Sequence, residues 1–530
     1  MNSVRRRVRW LPIVILSAMF LTLLQVEGAA AATVLRVPQD YLTIQAAVDA
    51  SIPGDTVLVS PGTFTELVDF HGKGITVEST DGPATTIIDG NQAGTVVTIS
   101  PGPDQAPVLR GFTIRNGSGT FGAGIETAGG PALVEGNRVT GNSTCFGAVE
   151  ATSSTATIRD NVISGNRPNC SGGPGGGGVL LRGDGTATVS DNVITGNVSS
   201  ADGGGIALFA AGSPTITGNV ISNNSAASFG AGGGISLVNA SNALITNNVI
   251  VGNTSAEGGG IYWLVPSGYS GPTVMNNTVA DNSGAAVFAD GYDVASRLVN
   301  NILVGSGAQA VLECGSFNDP NPPVIEYNDV FNAGSGPRYG GICTDQTGLN
   351  GNISADPLFV DPATGNYHLR ASSPAVDSGL NAGAPATDID GDPRPQDRNG
   401  DGVSVVDMGA DEVGGPDSTP PTISCTATPA TLSPANHRLR PVHVDLSASD
   451  NSGSVTVILV SVTSSQPDSG LGGGDMPNDI QGWTPGTDDR DGLLRAERFG
   501  TTRVYTLTYR ATDPSGNTGT CQTTVSVLQG

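Results

Sequence analysis

Glu126 and Glu150 each follow an aliphatic residue, Ile125 and Val149, and stand 24 positions apart. Two carboxylates held side by side can bind a cation or a sugar, or divide the work of acid and base at a glycosidic bond. A second pattern lies at residues 397–402, where Asp397, Asn399 and Asp401 alternate with other residues ahead of Gly402. Alternate oxygens and a turn-forming glycine open a calcium loop, and Asp407 falls one place short of the position that closes one. The expected calcium ligands are Asp397, Asn399, Asp401 and Asp407, with Asp388, Asp390 and Asp392 adding acid nearby. A third pattern, the glycines 203–205 after Asp202, could suggest a phosphate cradle. That chemistry needs glycines that open a helix, with lysine or the helix N-terminus receiving the anion. Here they lead into the strand-like IAL, and the chain has one lysine, Lys73.

These residues are positioned by a repeat. NRVTGN, NVISGN, NVITGN, NVISNN, NVIVGN and NTVADN begin at Asn137, Asn161, Asn192, Asn219, Asn248 and Asn277, in steps of 24, 31, 27, 29 and 29 residues. Gly-rich segments lead into Ile125, Val149, Val179, Ile206, Ile235, Ile261 and Val287. Each unit reads as three short strands, as at 234–238, 243–246 and 248–251, with Asn, Gly and Ser at the turns and no helical period. Without hairpin spacing, such units predict parallel coils stacked ~4.8 Å apart, with Asn columns forming hydrogen-bonded ladders at left-handed bends and glycines at tight corners. In that stack Glu126 and Glu150 point outward from adjacent coils, and their column continues through Leu180, Ala207, Ser236, Tyr262 and Phe288. Tyr262 and Phe288 are the expected ligand-binding aromatics, and Glu126 and Glu150 the candidate catalytic pair.

YLTIQAAVDASIPGDTVLVSPGTFTE at 41–66 and LRGFTIRNG at 109–117, taken with the repeat, resemble the right-handed parallel β-helix proteins of the pectin-lyase-like superfamily. The resemblance covers residues 33–413. It implies an amphipathic helix over the open N-terminal end and a closing segment at 356–413, of the secreted bacterial type, that caps the last coils. A lyase of this group would need an Arg or Lys base, plus acid or calcium against the uronate carboxylate. Nothing selects one among Arg110, Arg115, Arg138 and Arg159. RPQDR at 394–398 only approximates a pectate-lyase motif, and His71, His368, His437 and His443 all lie outside the regular coils.

The six cysteines test this register. Cys145 and Cys170 follow Asn142 and Asn166 at similar spacing, and Cys314 and Cys343 similarly follow Asn301 and Asn328, so each pair falls in neighbouring coils. Cys425 and Cys521 would join the first and last strands of a separate domain. Of the 15 possible connectivities, this pairing is the one the repeat prefers.

Composition changes at the linker 414–421. Beyond it, alternating runs such as PVHVDLSAS and RVYTLTYRAT predict an antiparallel β-sandwich over 422–530. LSPANHRLRPVHVDLSASDNSG and LRAERFGTTRVYTLTYRATDPSGNTG resemble a bacterial immunoglobulin-like module, which implies adhesion or spacing. The expected fold is thus all-β: a β-helix of three strands per coil followed by a small immunoglobulin-like sandwich.

Residues 1–32 combine four arginines, the apolar run LPIVILSAMFLTLL and an Ala-rich end, the pattern of a removable secretory signal. Without this leader the net charge moves from −24 to −27, which argues against a nucleic-acid partner. No later stretch is apolar for ~18 residues, so no transmembrane segment is expected. The sequence points to a monomeric, secreted or cell-surface protein. Its favoured function is non-catalytic, with an extended face presented to polysaccharide or a surface component and calcium as the one possible cofactor. The alternative is a polysaccharide lyase or glycoside hydrolase acting on uronic-acid glycans.

Overall fold

The computed structural model describes residues 32–530, apart from 103, 171–174, 240, 267–270, 292–295, 318–320, 415–418, 451–454, 471–473, 514–515 and 529–530. The secretory leader, save Ala32, and the centre of the linker lie outside the described residues.

Alternating apolar residues and short strands produce a parallel β-helix. Its first sheet runs through 12 strands from Val34–Val37 to Val324–Glu326. The second has 11, from Gly62–Thr65 to Asp329–Asn332, and the third 11, from Val68–Asp69 to Tyr339–Gly341. Pairing within these sheets is parallel from coil to coil. One residue per strand or two point inward, so columns such as Ile194, Ile221 and Ile250 stack into a continuous core. The helix Ile44–Ala50 closes the N-terminal end as expected, burying Ile44, Ala47 and Val48. Thr43 caps it through Ala46 N–H, and Glu66 accepts the amides of Ile44 and Gln45.

Two asparagine ladders hold the corners. One runs from Asn137 through Asn161, Asn192, Asn219, Asn248, Asn277, Asn301 and Asn328 to Asn352, each side chain bonded to the next. The other joins Asn142, Asn166, Asn197, Asn224, Asn253 and Asn282. The ladder residues do not themselves take the left-handed bend. That conformation belongs to the residue before each one: Gly136, Asp160, Asp191, Gly218, Asn247, Asn276 and Asn300 at the first corner all have positive φ. The division of labour is steric. The left-handed residue turns the chain, and the next side chain is thereby aimed inward, where its amide must find buried partners.

Beyond the last coil the chain forms an antiparallel hairpin, Phe359–Asp361 with Asn366–Leu369, and then runs along the side of the coils. Side chains of three left-handed corner residues receive it. Asn247 donates to the Thr387 carbonyl (2.6 Å), Asn276 to that of Asp407 (3.1 Å) and Asn300 to that of Leu380 (2.9 Å). Leu369, Ala375 and Met408 pack against Ile302 beneath this strap.

The three disulfides are Cys145–Cys170, Cys314–Cys343 and Cys425–Cys521, the pairing that the repeat register prefers. The last spans a C-terminal unit of two four-stranded sheets, mainly antiparallel, with Val444, Leu459, Tyr505, Leu507 and Val525 in its core.

Candidate functional site

The outward column of the third sheet has the expected register: Glu126 pairs with Glu150, then Leu180, Ala207, Ser236, Tyr262 and Phe288 follow in order. Its environment differs from the expectation of an open face. The Glu150 side chain is 0% exposed, and Tyr262 is 8% exposed. The cause is the glycine-rich loops, which fold back over the strands they precede. A Cβ on Gly203, where φ is +63°, would come within 2.7 Å of the Ala207 Cβ. The triplet is therefore a close-packed corner, and only glycine allows that approach.

Under this cover Glu150 accepts from Arg182 Nε at 2.5 Å and from the Thr152 hydroxyl at 3.0 Å. The Arg182 guanidinium lies 4.7 Å from the centre of the Phe121 ring, which packs on Phe146 at 5.1 Å. Burial pushes the Glu150 carboxyl up despite its arginine partner. Glu150 thus holds Arg182 over Phe121, whose partner Phe146 adjoins the Cys145–Cys170 bridge. Tyr262 and Phe288 stack on each other, 5.7 Å between ring centres. Other arginines on the coils are likewise engaged: Arg110 with Glu78 and Glu135, Arg159 with Glu135, and Arg115 with Asp89.

The calcium-type loop folds as a tight acidic turn. Asp397 accepts amides of Gly400, Asp401 and Gly402, and Asn399 accepts that of Asp401. Asp407 is not part of it. Its carboxylate is buried in the strap, where it accepts the amides of Asp377 and Val413, both at 2.7 Å, and burial pushes its pKa up to about 8. The intervening residues 402–406 carry the chain away from the turn, which is why the sequence spacing misassigned this ligand. Arg394 of RPQDR is also buried, spent on the carbonyls of Asp407 and Gly409 beside Glu412.

The strongest site lies between the strap and the coils. His368, Asp390 and Asp411 each offer one ligand atom, and these atoms all lie within 4.8 Å of one another. Their elements explain the convergence. His368 stands on the hairpin strand Asn366–Leu369, which Tyr367 pins by donating to Asp281 at 2.6 Å and by packing edge-on against Phe359. Asp390 sits in a turn held by Asp388, which accepts the amides of Asp390, Asp392 and Glu412. Asp411 uses one oxygen to accept the Leu369 amide at 2.7 Å. Its carboxyl is thereby tied to the same strand as His368.

Asn366 Oδ1 is 2.6 Å from His368 Nδ1, and Asp390 Oδ2 is 2.7 Å from Nε2. Burial works against a charged imidazole, but the hydrogen bond to Asp390 and the charges of Asp411, Asp390 and Asp388 outweigh it and raise the His368 pKa. Burial raises Asp411. The three groups border a cavity of about 670 Å³ whose other walls include Asp191, Val220, Val249 and Ile389. Sequence reasoning set His368 aside because it lies outside the coils. The available signal was the Asn-Asn pairs at 247–248, 276–277 and 300–301, which replace Asp-Asn or Gly-Asn of earlier coils and mark where the strap docks.

A family profile described as Periplasmic copper-binding protein (NosD) matches residues 48–267 and 175–340, together more than half of the chain. No curated protein matches the chain. Among solved structures, the PL6 family alginate lyase AlyGC is similar, at 14% identity. A point mutant of it aligns over 64% of this chain and 56% of its own, with a TM-score of 0.36. The unmutated lyase aligns over 62% and 54%, with a TM-score of 0.33. This chain therefore spans a little over half the length of those enzymes.

Proposed function

The chain belongs to the NosD family of periplasmic β-helix proteins, and from that premise we propose that it binds a divalent transition-metal ion, Cu(II) first, on His368, Asp390 and Asp411. The observation that carries this reading is the convergence of the three ligand atoms within 4.8 Å. One imidazole and two carboxylates suit Cu(II), which heads the affinity order of divalent ions at nitrogen and oxygen sites. The donors of this site are nitrogen and oxygen, whereas Cu(I) prefers thiolate and thioether ligands. Asn366 would hold Nδ1 and leave Nε2 for the ion, the usual role of a second partner on a ligating histidine. The bound ion would supply Lewis acidity and open coordination positions.

An extracytoplasmic location is supported by the family, by the disulfides and by the signal-like leader. Among the described residues, no helix is long and apolar enough to cross a membrane. Isothermal titration of the full chain with Cu(II) tests the reading. One site is expected, weakened at least tenfold in His368→Ala and in Asp390→Ala. An isotherm unchanged by both substitutions would refute it.

A second reading keeps the sequence expectation of glycan or surface binding, with the immunoglobulin-like C-terminal unit as spacer. It is favoured by Phe209 and Phe229, exposed at 37% and 100% on neighbouring coils. Failure of the wild type to be retained on a glycan array would count against it, and retention that survives Phe209→Ala with Phe229→Ala would remove these two residues from the binding face. Calcium on Asp397, Asn399 and Asp401 is a further proposal, supported by their spacing. Calcium heats equal in wild type and Asp397→Ala would remove it.

A further inference from the structure

The cavity beside His368 is much too large for an ion alone. It encloses about 670 Å³, whereas one water occupies about 30 Å³ and pockets for organic ligands run from about 300 to 1,000 Å³. Val220, Val249 and Val251 form one wall on the second sheet, and Ile389 and Ala410 face them from the strap. Asp191 adds a third acid to Asp390 and Asp411, and no Lys or Arg is among the residues that line the space. A free organic anion would therefore meet three carboxylates, with the His368 imidazole as the one basic side chain among the lining residues. Three protein donors also leave coordination positions open. A ligand whose own donors fill those positions enters with its negative charge already neutralised by the ion.

We infer that this cavity takes the metal ion as a chelate with an α-amino acid or short peptide. The ligand's amine and carboxylate occupy the open positions, and its apolar side chain lies on Val220, Val249 and Ile389. This rests on the metal reading above. It adds to that reading the chemical class of the second ligand.

The test compares bare Cu(II) with the preformed 1:1 complex of Cu(II) and a glycine–leucine dipeptide, each titrated into the full chain by calorimetry and followed by electron paramagnetic resonance. The chelate should bind at least tenfold more tightly than the bare ion, and its spectrum should show nitrogen coupling from both the dipeptide and His368. Val220→Trp, and separately Ala363→Trp on the exposed turn Pro362–Thr364, should fill the cavity and erase that advantage while leaving bare-ion affinity unchanged. His368→Ala should weaken both. Equal affinity for ion and chelate, or a chelate advantage that both Trp variants retain, overturns the inference and leaves the metal reading standing. Failure of the wild type to bind either form overturns the metal reading itself.

Discussion

Replacing Asn248 with alanine should cost this protein about 5 kcal/mol, far more than an ordinary polar substitution. Asn248 is fully buried. Its Nδ2 donates to the carbonyls of Ile216 and Thr246 and to Asn277 Oδ1, each at 2.9 Å. Its Oδ1 accepts the Asn219 amide at 3.0 Å and Asn219 Nδ2 at 2.9 Å. Alanine removes all five contacts. Because Nδ2 carries two hydrogens, the five contacts amount to four full bonds, ~4 kcal/mol at ~1 kcal/mol net each, and the desolvation penalty of the orphaned Asn219 amide, offset in part by water entering the gap, brings the loss to ~5 kcal/mol. The exposed Asn242, six positions earlier, is the control, and its alanine variant should stay within ~0.5 kcal/mol of wild type. Because stacked repeats need not unfold in one step, urea denaturation should be paired with hydrogen exchange read at the Asn219 amide. A change below ~1 kcal/mol with normal protection at that amide would refute the ladder as a source of stability.

Asn366→Ala should weaken Cu(II) binding by about tenfold in calorimetry through loss of the Nδ1 partner, while thermal stability changes little. Asn300→Gly keeps the left-handed corner but loses both bonds to Leu380, so limited proteolysis should begin near residue 380 in the variant and not in wild type. Asp329 is fully buried, and burial pushes its carboxyl up to about 7 from 3.8, with one oxygen on the Ala355 amide. The folded state thus holds this proton more tightly than the unfolded state does. Stability from this group is greatest below pH 3.8 and is lost as pH rises toward about 7, by up to ~4 kcal/mol. Urea midpoints measured across that window should fall more steeply in wild type than in Asp329→Asn, and parallel curves would refute the assignment.

The coils were legible because stacking makes one period govern many residues. The column from Glu126 to Phe288 and the pairing of Cys145 with Cys170 both follow from register alone. What register could not supply was the path of the loops between strands. The covering of Glu150 and Tyr262 depends on how closely Gly203 and its equivalents approach the next strand, and strand spacing carries no information about that. The strap was opaque for a related reason. Residues 356–412 have no period, and hydrogen bonds between His368 and Asp390 and from the Leu369 amide to Asp411 span 22 and 42 positions of irregular chain. Asp407 shows the opposite error, since a good loop start at Asp397, Asn399 and Asp401 drew in an acid one place short of the closing position, whose buried carboxylate instead accepts the amides of Asp377 and Val413.

The choice of residue at the left-handed corner connects the repeat to the site. Gly, Asp and Asn all tolerate positive φ, so Asp160, Asp191 and Gly218 turn the chain as well as Asn247, Asn276 and Asn300 do. They differ in what they offer outward. An asparagine presents an amide donor, and the strap arrives with carbonyls of Thr387, Asp407 and Leu380 to accept it. An aspartate carboxylate can only accept, so it would repel those carbonyls, and glycine offers nothing. The strap therefore docks where the corners become Asn. The cavity opens next to that boundary, with Asp191 and Gly218 in its wall. A change of one residue type at a repeated position thus ends the bare coil face and supplies the second wall that a binding site needs.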